Sequence, residues 1–139
     1  MKKYTEDELK ALDPVAYAKE WNAARKAEGA DSWMMLPEEP EYYIANGYDT
    51  AYDYEKSCAF DTLSDVFKEI NGFRPRGIYD LAKASLADVE AEIKSLLDGE
   101  KARVEAKEAE KVAVAARIAE AITPVALTYN PFAALKGVL

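Results

Sequence analysis

Between Ser85 and Ile122 the chain has no proline and a single glycine, Gly99, and most of its residues are Ala, Glu, Lys, Leu or Arg. These are the strong helix formers. The run predicts one long helix over about 85–122, with Ser85 as N-cap and Thr123-Pro124 closing it. Its apolar positions are Leu86, Val89, Ile93, Leu96 and Leu97, then Val104, Val112, Ala115, Ile118 and Ile122. The stripe thins between Asp98 and Lys111, where Lys101 and Glu105 can pair at i, i+4. A straight helix of this length spans about 55 Å, more than a domain of this size. It therefore either bends near Gly99 or projects in part. A projecting apolar stripe needs cover, so self-association through Val104, Val112, Ala115, Ile118 and Ile122 is the expectation.

The remaining sequence also reads as helical, giving an all-α chain organised as one domain of 139 residues. Thr5 with Glu8 three residues on forms a capping box for a first short helix. Asp13-Pro14 caps and opens a second, carrying Val15, Tyr17, Ala18, Trp21 and Ala24 and stopping near Gly29. Pro37 and Pro40 preclude a helix across 30–40, yet Trp33, Met34, Met35 and Leu36 are too apolar for a solvated linker and should pack on the core. Tyr42, Tyr43, Tyr48, Tyr52 and Tyr54 flank an Asn46-Gly47 turn signal. A hairpin with strands near 41–45 and 48–52 is one reading. The spacing of Tyr52, Ala59, Leu63, Val66, Phe67 and Ile70 fits a period of 3.6 better than one of two, and predicts a short helix, a break, then a central helix over about 49–70 stopped by Gly72. The apolar tail, with Leu127, Tyr129, Phe132, Leu135, Val138 and Leu139, should dock on the body or on another chain.

Charge is unevenly distributed. The net charge is −8; residues 1–70 hold sixteen acids and eight bases, whereas residues 71–139 hold ten of each. An acidic half disfavours direct nucleic-acid binding, which draws on Lys and Arg. It suits solvation, a basic partner, or imitation of nucleic acid. Cys58 is the sole cysteine and histidine is absent. A Ser-His-Asp triad, a Cys-His pair and a His-bearing zinc site are therefore excluded. Met1-Lys2-Lys3 leads into polar residues and no run approaches a membrane span, so a cytosolic protein without membrane contact is expected.

Three constellations could carry function. Asp49, Asp53, Asp61, Asp65 and Glu69 recur at four-residue steps, with Ser57 in the gap, and wind slowly around a helix. They form a solvated face, a row resembling phosphates for a basic partner, or, at Asp61 and Asp65, part of a cation site. The last needs ligands from a second element, and no metal or cofactor is assigned. In Arg74-Pro75-Arg76, bracketed by Gly72 and Gly77, proline stiffens the turn. The two guanidinium groups leave it in roughly opposite directions, to latch onto nearby groups such as Glu69 or Asp80 or to capture a partner's carboxylates or phosphates. Among the tyrosines, Tyr52 is expected in the core and Tyr54 exposed on an interface.

The stretch Phe60 to Gly77, with Phe67-Lys68-Glu69-Ile70-Asn71-Gly72-Phe73-Arg74-Pro75-Arg76, followed by Ser85-Leu86-Ala87-Asp88-Val89-Glu90, resembles small proteins of unassigned function encoded by tailed bacteriophages. The likeness covers about residues 58–98. It implies no catalytic residues, but a protein made in the cytoplasm of an infected bacterium that acts on host or phage machinery. The leading expectation is thus a non-enzymatic accessory protein that binds and inhibits a host protein with a basic surface. Asp49, Asp53, Tyr54, Asp61, Asp65, Arg74 and Arg76 would make the contact. The alternatives are an assembly protein oligomerising through the long helix, and an enzyme built on carboxylates and a divalent ion.

Overall fold

The computed structural model describes residues 2–128. Among them it is all-α. Five α-helices follow in order: α1 (Glu6–Lys10), α2 (Pro14–Ala27), α3 (Pro40–Ala45), α4 (Ala51–Asn71) and α5 (Leu86–Thr128), with a single 3-10 turn at Ser32–Met34. No strand forms among the described residues, so the hairpin reading of the tyrosine segment falls away. Of the apolar tail, residues 129–139 lie outside the described part.

Local signals set most helix ends. Thr5 and Glu8 form the reciprocal capping box of α1. The Asp13 carboxylate accepts from the Ala16 N–H, with Pro14 in the first turn of α2. Gly72 ends α4 with φ 82°, a left-handed conformation that glycine adopts without steric penalty. Two boundaries differ from the expectation. The central helix starts at Ala51, because Thr50 caps it and Asp53 closes a second capping box; Asp49 therefore stands outside the helix. The last helix does not stop at Thr123 but continues through Pro124 to Thr128. A proline deletes one N–H from the ladder and crowds the preceding turn, which penalises a helix without ending it. Gly99 likewise interrupts nothing.

Two compact units divide the chain, Met1–Leu97 and Asp98–Leu139. Every buried residue among those described belongs to the first. Its core is built largely from tyrosine: Tyr17, Tyr43, Tyr52 and Tyr54 cluster with Leu9, Ala18, Ala51 and Leu86. The rings meet edge to face, Tyr43 on Tyr54 at 5.6 Å and Tyr48 on Tyr54 at 5.7 Å between centroids, the arrangement the ring quadrupole favours. Each phenol finds a partner. Tyr43 donates to the Pro37 carbonyl at 2.6 Å, Tyr17 to the Glu55 carboxylate, and Tyr48 shares a bond of 2.9 Å with Ser57. No buried side-chain polar atom among the described residues lacks one.

Two polar devices tie distant segments to this core. Asn22, buried on α2, donates to the Leu36 carbonyl and the Glu38 carboxylate and accepts the Leu36 N–H at 2.7 Å. The segment between Ala30 and Glu39 is thereby tied to α2 without an α-helix of its own. The start of α5 is capped from three sides. The Leu86 N–H donates to the Tyr52 hydroxyl at 3.1 Å, that of Ala87 to Glu6 at 2.7 Å, and that of Asp88 to Ser85 at 3.1 Å. The first N–H groups of any helix lack intrahelical acceptors, and here three elements supply them.

Candidate functional site

The Arg-Pro-Arg turn is rigid and asymmetric. Gly72 and Gly77 both take positive φ, Pro75 is buried between them, and the Ile78 N–H closes onto the Pro75 carbonyl. Arg74 folds back on α4, where its Nη1 donates to Asp65 at 2.8 Å and to Ser64 at 2.9 Å. It is a latch, on Asp65 where Glu69 or Asp80 was expected. Arg76 stays exposed with no side-chain partner among the described residues. Beside it in sequence Phe73 and Ile78 are more than half exposed. Phe67, packed on both Phe73 and Tyr79, supports the turn from α4. The result is a stiff basic tip with apolar flanks.

The acidic row is less continuous than its spacing implies. Asp53 is half-buried and accepts the backbone N–H groups of Asp49 and Thr50. Asp65 is neutralised by Arg74. Asp49, Asp61 and Glu69 remain as exposed carboxylates, and Asp49 precedes the helix. Among the described residues no three His, Cys, Asp or Glu side chains come together as a metal site would require. Tyr54, expected on the surface, is buried at 9% exposure. Its ring is the centre of the tyrosine cluster and its hydroxyl bonds the Cys58 thiol. A position two residues from Tyr52 would normally face away on a helix; here α3 and the Tyr48 turn cover that second face.

Sequence reasoning missed a cleft of about 280 Å³ bordered by Lys3, Glu6, Tyr17, Glu55, Leu86 and Glu90. No local pattern marks it, because its walls come from four separate segments. Glu6 is committed to capping α5 and Glu55 to Tyr17. Burial and the Glu55 carboxylate push the Tyr17 phenol well above its ordinary range, so it keeps its proton at neutral pH and supplies no base. Cys58 is likewise held in the thiol form: burial raises it foremost, the Tyr54 hydrogen bond opposes, and the Glu55 and Asp61 charges add to the rise.

In the second unit the side chains from Lys101 to Ile122 are all exposed. Val104, Val112, Ala115, Ile118 and Ile122 are among them, with Ile118 at 52% and Ile122 at 57%. At about 100° per residue, Val104, Ala115, Ile118 and Ile122 fall on one stripe, while Val112 and Val114 stand about 80° to either side. Two charged residues, Glu108 and Lys111, lie in the same stripe, bonded to each other at 3.2 Å. No helix among the described residues is long and apolar enough to cross a membrane. Compared with protein-family models, curated proteins and solved structures, the chain matches none.

Proposed function

We propose that this chain is a non-enzymatic interaction protein whose working surface is the helix of its second unit, and that it assembles by pairing this helix with another. The observation that carries the reading is the exposed stripe of Val104, Ala115, Ile118 and Ile122. Exposed apolar side chains aligned on one helix face suit an interaction site, and a helix derives most of its stability from packing such a face. Burying an isoleucine stabilises by about 1.5–3 kcal/mol, and a symmetric pairing loses that contact twice. I118K should therefore weaken self-association by about 100-fold or more, while thermal melting of the tyrosine-rich unit stays unchanged. Light scattering across a concentration series reads the result. A strict monomer at high concentration removes the proposal.

A second reading rests on the turn. In it the protein is a phage accessory factor that binds and inhibits a host protein in the infected cell. Arg76, uncompensated and flanked by exposed Phe73 and Ile78, supports it together with the open carboxylates of Asp61 and Glu69. Exposed charge of this kind steers association and is screened by salt. A host protein retained at low salt should be released at high salt and lost when R76A and D61N are combined. Retention indifferent to both would end this reading.

A further inference from the structure

We infer that the second-unit helix pairs with a second copy of this chain in antiparallel orientation, in the register that sets Glu108 of one copy against Lys111 of the other. The inference rests on the self-association proposed above and adds its direction and alignment. Seam positions in a two-helix assembly recur at alternating steps of three and four residues. Lys101, Val104, Glu108, Lys111, Ala115 and Ile118 follow that alternation along the stripe. A parallel pair aligns each seam residue with itself, so Glu108 would meet Glu108 and Lys111 would meet Lys111. Like charges facing each other in a partly dry seam are destabilising.

An antiparallel pair centred between Glu108 and Lys111 reverses this. Each Glu108 then meets the partner's Lys111, and the contact occurs twice by symmetry. The same register sets Val104 against Ala115, a large residue against a small one, and Ile118 against the stem of Lys101, whose methylenes can cover it while the ammonium reaches water. Val112 and Val114 border the seam and extend its apolar margin. Sliding the alignment by one heptad one way sets Glu108 against Ile118 and Lys111 against Ala115; the other way sets Glu108 against Val104 and Lys111 against the like charge of Lys101. The polar pair thus selects orientation and register at some expense in stability, as polar seam residues do.

Cysteine cross-linking tests this in the full chain with C58S as background. Disulfides form only between Cα atoms about 4.4–6.8 Å apart. Mixing V104C with A115C should give the heterodimeric disulfide, and neither variant alone should cross-link, since two copies of position 104 would lie about 16 Å apart along the seam. As a second readout, E108K and K111E should each weaken the dimer at least tenfold, and the doubly exchanged chain should recover it. Cross-linking of V104C with itself, or indifference to E108K and K111E, overturns the antiparallel register while leaving self-association standing. A monomer by light scattering removes both.

Discussion

On titration to alkaline pH, the tyrosine-rich unit should lose stability from about pH 10 upward and unfold within about two further pH units. An unfolded tyrosine ionises near its ordinary value of 10.0, whereas burial pushes Tyr43 up to about 12 and raises Tyr17 and Tyr54 further. Glu55 adds to the rise at Tyr17, and the Cys58 hydrogen bond and charge at Tyr54. Above pH 10 the folded protein therefore binds more protons than the unfolded chain. The stability these groups contribute is complete below pH 10 and disappears as pH climbs through the folded values. Each such tyrosine removes up to about 1.4 kcal/mol per pH unit, and three acting together match the stability of an ordinary domain of about 5–15 kcal/mol. Circular dichroism melts read beside tyrosinate absorbance check this. Phenols ionising together near pH 10 with the helices intact would contradict it.

Replacing Tyr43 with alanine should destabilise the same unit by about 3–5 kcal/mol, the range for emptying a large aromatic site. Tyr43 is 1% exposed. It stacks edge-on against Tyr42 and Tyr54 and bonds the Pro37 carbonyl, so the cavity would be lined on several sides and cannot collapse without moving α3. Its neighbour in sequence provides the control. Ile44 is 77% exposed, and I44A should change stability by no more than about 0.5 kcal/mol. Urea unfolding of both variants decides the matter. Equal midpoints for Y43A and I44A would mean that the aromatic cluster does not hold the fold.

Much of this architecture is legible from residue order because short-range chemistry sets it. The Thr5, Asp13 and Ser85 caps and the Gly72 stop each act within a turn of helix, so a few residues suffice to place them. The errors have the opposite cause. Tyr54 is buried because α3 and the Tyr48 turn cover a helix face that periodicity leaves open, and Asn22 is fixed by a loop fourteen residues away. Asp65 and Arg74 are separated by nine residues, and their pairing cuts a row of carboxylates that spacing alone draws as continuous. Helix wheels report which residues share a side; they carry nothing about what a later segment lays over it.

Glu6 reaches Ala87 across eighty-one positions, and Tyr52 reaches Leu86 across thirty-four. These long bridges join α1 and α4 to the start of α5, and the residues that close the core all lie before residue 98. Domains fold as units during synthesis, the earlier one first. The tyrosine body can therefore close before the helix of the second unit is complete. Under the self-association proposed above, neighbouring chains on one message would then meet helix to helix, with their cores no longer available for mispairing.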